Sequence, residues 1–102
     1  MYSSVAGIGV IMSSGKVYDI FLERYPKIDL HGYDRDSARM ATNDFIDENI
    51  ILGNDTVIII HGIGSGIVKR EVHEVLKNNK NVLEYKTDNF NSGCTIVKLL
   101  IK

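Results

Sequence analysis

Thr56-Val57-Ile58-Ile59-Ile60 puts five β-branched residues in succession. Branching at Cβ stiffens χ1 and suits a pleated strand better than a helix. A strand with no alternation between apolar and polar positions reads as one buried on both faces. It runs straight into His61-Gly62-Ile63-Gly64-Ser65-Gly66, a glycine-rich turn. Val68, Val72, Val75 and Leu76 follow at helical spacing and give the clearest amphipathic helix in the chain. The unit is strand, His-Gly turn, helix.

The same order occurs once upstream. Pro26 breaks any helix there and biases Tyr25 towards extended geometry. Ile28 to His31 alternates apolar and polar, as a short strand does, and Gly32 ends it. Asp34 or Asp36 can cap a helix from about Arg35 to Ile51, in which Ala38, Ala41 and Phe45 share a face. Gly53 is its expected stop. Beyond the second helix, Asn78 to Asn81 reads as a turn and Val82 to Lys86 as a strand. Thr87 to Gly93 reads as a polar loop and Cys94 to Ile101 as a final strand. The order β-α-β-α-β-β implies an α/β fold. Two consecutive βα units give a parallel strand pair with right-handed crossovers, and the final hairpin adds antiparallel pairing. The sheet is therefore mixed, with helices packed on it.

A chain of 102 residues favours one domain with a modest core. Residues 1–24 read as a partly flexible N-terminal arm and 25–102 as the folded domain. The net charge of -1 means that any nucleic-acid contact needs a local basic patch. Cys94 is the one cysteine, so no intrachain disulfide forms, and a reducing, cytoplasmic setting is expected. The apolar run Val5 to Met12 is too short to span a bilayer, and no basic residue precedes it.

Parallel strands end at one sheet edge, where open α/β sheets bind ligands. His31 and His61, thirty positions apart, are thus expected close together. Asp29, two residues before His31, is expected on the same strand face, where it orients the imidazole or raises its basicity. Gly62, Gly64, Ser65 and Gly66 lead into a helix, which makes a generic phosphate cradle. Lys69 and Arg70 on its first turn are candidate partners for phosphodiester oxygens. The turn is neither a P-loop, since no Lys-Ser or Lys-Thr follows, nor a dinucleotide fingerprint.

Plainer readings stand beside these. One His-Gly at a strand end is usually just a turn; two at one edge, with an aspartate, are harder to dismiss. Cys94 reads as a small core residue. Thr95 reads as a strand former, or as a hydrogen-bonding group near the site. His73 falls off the apolar stripe and reads as surface. Asp34, Asp36, Asp44, Asp47 and Glu48 read as caps and a solvated helix face.

Ile28-Asp29-Leu30-His31-Gly32 resembles the LDxHG signature that opens the Smr (small MutS-related) domain. His61 to Gly66 resembles its HGxGxG motif, and Ser92-Gly93-Cys94-Thr95-Ile96-Val97 its closing SGxTxV segment. The ordered set covers roughly Tyr25 to Lys102. The resemblance implies a two-layer α+β sandwich similar to the C-terminal domain of bacterial translation initiation factor 3. It also implies endonuclease activity on DNA or RNA, or action on mRNA at the ribosome; loss of the LDxH histidine marks some members that bind without cutting. Asp29 and His31 are both kept here. Ile63 replaces a lysine common in the family, and Phe90 and Asn91 stand where glycines are common.

The expected chemistry is phosphodiester cleavage, RNA favoured over DNA. Asp29-oriented His31 is the general base and His61 the general acid or a hydrogen-bond donor; Gly62, Gly64, Ser65, Gly66, Lys69, Arg70 and Thr95 contact nucleic acid. With RNA the 2′-hydroxyl can attack and no metal is required. With DNA, water must attack, and a divalent metal (magnesium or manganese) held by Asp29 and a histidine is then called for. The competing expectation is a module that binds structured RNA, branched DNA or the ribosome without cutting.

Overall fold

The structure, a computed structural model, describes residues 24–88 and 92–101. The arm expected over 1–24 lies outside these apart from Arg24, as do Phe90 and Asn91. The elements are β1 (Lys27–Asp29), α1 (Arg35–Leu52), β2 (Thr56–Ile60), α2 (Ile67–Asn78), β3 (Val82–Thr87) and β4 (Cys94–Leu99). This is the β-α-β-α-β-β order expected. The sheet order is β1-β2-β4-β3. β1 and β2 are parallel, and β4 runs antiparallel to both β2 and β3. The final hairpin therefore folds inward and gives β2 a partner on each side, and Thr56 to Ile59 are all buried.

The crossovers from β1 to β2 and from β2 to β3 step the same way across the sheet. With right-handed connections both helices lie on one face, giving two layers. The core joins Ile46 of α1 and Val72 and Leu76 of α2 to Val57, Ile59, Val97 and Leu99 of the sheet. α1 starts and stops where local chemistry dictates. The Asp34 carboxylate accepts from Ser37 N at 2.7 Å, and Gly53 closes the helix at φ 80°. The buried polar residues of α1 are satisfied locally: Thr42 Oγ1 donates to the Ala38 carbonyl, Asn49 Nδ2 donates to that of Phe45, and Asn49 Oδ1 accepts from Asn54 Nδ2 just past the helix. No helix among the described residues is long and apolar enough to cross a membrane.

Three strands end elsewhere than expected. β4 stops at Leu99, not Ile101, and β3 reaches Thr87. β1 stops at Asp29, so His31 is not a strand residue. The chain turns at once: Tyr33 N donates to the Leu30 carbonyl at 3.0 Å, with Gly32 at φ 84°. That is a β-turn whose third position needs positive φ, which only glycine adopts without strain.

Candidate functional site

Leu30 is fully buried in the core, and its N–H donates to the Ile60 carbonyl at 2.6 Å, which ties the end of β1 to the end of β2. With Leu30 turned inward, Asp29 and His31 on either side face out; their side chains are 52% and 72% exposed. The expected contact forms, although through a turn and not a shared strand face. Asp29 Oδ1 accepts from the His31 backbone N at 3.1 Å and lies 2.7 Å from ring Nδ1. These hydrogen bonds, the side-chain one foremost, hold the Asp29 carboxyl below its ordinary value. An ionised carboxylate can only accept, so Nδ1 carries the hydrogen and the Nε2 lone pair is left for a substrate proton.

The second His-Gly turn lies against the first. A methyl group on Gly62, which sits at φ 82°, would come within 3.0 Å of His31 Cβ. The Gly93 carbonyl holds this turn by accepting from both His61 N (2.8 Å) and Gly62 N (3.1 Å). The SG pair before β4 is thus part of the site's frame. Gly66 (φ 85°) is the N-cap of α2 and offers no side chain to it; Ser65 Oγ accepts from Ile67 N at 3.4 Å. A groove of about 960 Å³ runs between the two turns, with His31, Tyr33, Arg35, Ile63, Ser65 and Ile67 among its lining residues.

His61 departs from its expected role. It is buried, 4% exposed. Its Nδ1 lies 3.1 Å from the Gly62 carbonyl and its Nε2 lies 2.8 Å from Thr95 Oγ1. Neither nitrogen is left for a substrate. Burial, with Lys69 nearby, lowers its proton affinity despite the Gly62 carbonyl. Thr95 is fully buried and faces the two imidazoles, not the groove. His73, expected at the surface, is half-buried instead, with Nε2 2.7 Å from the same Thr95 oxygen. Burial lowers its proton affinity as well, and His61 and Lys69 add to this. Its ring packs edge-on against His61 and Tyr85, at centroid distances of 5.8 and 5.1 Å.

Lys69 and Arg70 line a second groove, with His73, Lys77 and Tyr85, that meets the first at Gly66. Arg35 is the cation of the first groove. Its Nε lies 3.9 Å from Glu71, which also faces Arg39 at 3.7 Å. Sequence reasoning missed Arg35 and His73. Arg35 had a signal, since it follows the Asp34 cap beside the first turn. So did His73, three residues before the buried Leu76 and hence one turn from it on the same helix flank. Cys94 is buried, which pushes its thiol up, as suits a core residue. Among the described residues no three His, Cys, Asp or Glu side chains form a metal-holding group.

The three motif segments therefore converge on one sheet edge: the β1 end, the glycine turn after β2, and Gly93-Cys94-Thr95. The Smr domain family model matches residues 28–100, a span that includes all three. The chain belongs to the Smr domain family. Endonuclease MutS2 of Clostridium acetobutylicum is 36% identical over 73 residues, which cover 72% of this chain and 9% of that protein. Endonuclease MutS2 of Alkaliphilus metalliredigens is 33% identical over 97 residues, 92% of this chain and 12% of that protein. The second match must include part of residues 1–24. The chain spans about a tenth of the length of these relatives. Among solved structures, the Smr domain of Thermus thermophilus MutS2 superposes with a TM-score of 0.70 at 26% identity, over 72% of this chain and 96% of that one. YdaL, a stand-alone small MutS-related protein from Escherichia coli, gives 0.71 at 27%, over 76% and 68%. Both support the mixed α+β architecture described above.

Proposed function

We propose that this Smr domain is an endonuclease that cuts phosphodiester bonds, with RNA as its substrate. The observation that carries the reading is the exposed His31 ring, oriented through Nδ1 by Asp29 beside the Gly62 turn. His31 Nε2 takes the proton of a ribose 2′-hydroxyl, which attacks the adjacent phosphorus. Backbone N–H groups at the Gly64 to Gly66 entry to α2, with Arg35, offset charge developing on the phosphate oxygens. The leaving 5′-oxygen takes its proton from water in the open groove, because His61 presents no free nitrogen. Tyr33, Ile63 and Ile67 are exposed apolar side chains on the groove wall, suited to an unstacked base. This favours unpaired RNA. The relatives named endonuclease MutS2 agree with nuclease chemistry.

A second reading, a module that binds nucleic acid or the ribosome without cutting, is favoured by the burial of His61, which leaves one imidazole in the groove. Labelled single-stranded RNA, hairpin RNA and duplex DNA, each with and without EDTA, separate the two. Cleavage of unpaired RNA that persists in EDTA supports the nuclease. DNA cleavage that stops in EDTA would instead assign a divalent metal to Asp29 and His31. Retention of all three nucleic acids uncut selects the binding module.

A further inference from the structure

Behind the glycine turn, Thr95 Oγ1 lies between two imidazoles, 2.8 Å from His61 Nε2 and 2.7 Å from His73 Nε2. A hydroxyl has one hydrogen to donate, so the two contacts must run in opposite senses. The direction follows from the other end of His61. The Gly62 carbonyl can only accept, so His61 carries its hydrogen on Nδ1. The ring is 4% exposed and its centroid is 5.8 Å from a second imidazole, an environment that disfavours a cation. As a neutral ring its Nε2 has a lone pair only, and it accepts from Thr95 O–H. The Thr95 oxygen is then left to accept from His73 Nε2–H. The order is His73 Nε2–H to Thr95, Thr95 O–H to His61 Nε2, and His61 Nδ1–H to the Gly62 carbonyl. No other arrangement satisfies every atom without charging a buried ring.

We infer that His73 is a positioning residue: by donating to Thr95 it sets the hydroxyl towards His61, which in turn fixes the Gly62 turn against which His31 rests. This rests on the reading of this edge as the reaction site, although the order of hydrogen bonds does not. The groups around the chain are Lys69 and His73 from α2, Tyr85 from β3 and Thr95 from β4. His73 also faces the second groove, so that groove and the reaction groove are joined through one buried hydroxyl.

Gln and Glu have nearly the same shape but opposite hydrogen-bonding sense, which makes them the test. The H73Q amide can donate to Thr95 and keeps the order. The H73E carboxylate can only accept; it takes the Thr95 hydrogen, and His61 must then donate from Nε2 as well as Nδ1. Long-range proton–nitrogen NMR correlations on the intact chain read the protonation of each ring and the partner of the Thr95 hydroxyl proton. Wild type and H73Q should show His61 protonated on Nδ1 alone, with the hydroxyl proton correlated to His61 Nε2. H73E should lose that correlation and show His61 protonated on both nitrogens. His61 protonated on Nε2 alone in wild type, or identical spectra for H73Q and H73E, would overturn the inference. Cleavage should fall by roughly tenfold in H73F, about the worth of one hydrogen bond, and be largely restored in H73Q. If wild type cuts nothing, the nuclease reading fails while the NMR result still decides the order.

Discussion

Gly62→Ala tests the contact between the two His-Gly turns, and Gly53→Ala supplies its control. Both glycines have left-handed backbone, at φ 82° and 80°. An L-residue there costs about 1–2 kcal/mol at either position. Nothing lies within 4 Å of a methyl group on Gly53, so that variant bears the backbone cost alone. A methyl group on Gly62 meets His31 Cβ at 3.0 Å, short of the roughly 3.5–4.0 Å at which carbon atoms rest. His31 must move by about half an ångström or more, at a further cost of order 1 kcal/mol. Each kcal/mol lowers Tm by about 4–8 °C in a domain of this size. Scanning calorimetry should therefore show Gly62→Ala melting several degrees below Gly53→Ala. RNA cleavage should fall with Gly62→Ala, because the base is displaced, and be unchanged with Gly53→Ala. Equal Tm values together with full cleavage by Gly62→Ala would refute the claim that the second turn positions His31.

Acidification should destabilise the fold in a predictable window. His61 and His73 both have folded proton affinities below the ordinary imidazole value, chiefly through burial. The unfolded chain therefore binds more protons, and stability present above about pH 6.5 is lost as pH falls through the folded values. Urea midpoints should drop between about pH 7.5 and about pH 5.5, and His73→Gln should flatten the drop; no change over that range would show that neither ring is held neutral. Asp34→Ala removes the cap that accepts from Ser37 N at 2.7 Å and should cost about 1 kcal/mol, measured by urea denaturation, with the loss absent in Asp34→Asn.

Much of the fold was legible because its local signals agreed with its tertiary needs. The β-branched run at 56–60 became the doubly flanked β2, Asp34 and Gly53 bound α1, and the two His-Gly units marked one edge. What escaped was set by partners distant in sequence. That β4 lies between β2 and β3 depends on strand pairing across the whole domain. Periodicity along α2 picks out the stripe that faces the core. It cannot say that His73, on the flank of that stripe, meets a hydroxyl from β4. His61 and His31 stand in near-identical sequence settings, yet one is buried and the other exposed. The difference is one of register: Asp29 pairs with Ile60, so His61 stands level with the buried Leu30, whereas His31 comes one residue later, in the turn closed by Tyr33. The convergence of Asp29 and His31 was expected, but its vehicle is a glycine turn and not strand alternation.

The central claim is that His31, held by Asp29, is the base of an RNA-cleaving site. The most direct measurement is the rate of cleavage of an unpaired RNA, with its new ends analysed, by wild type and His31→Ala purified in parallel. A general base of this kind contributes about 10²–10⁴-fold, so His31→Ala should lose activity by that factor while wild type leaves 2′,3′-cyclic phosphate ends. Equal rates in the two proteins, or ends formed by attack of water, would contradict it.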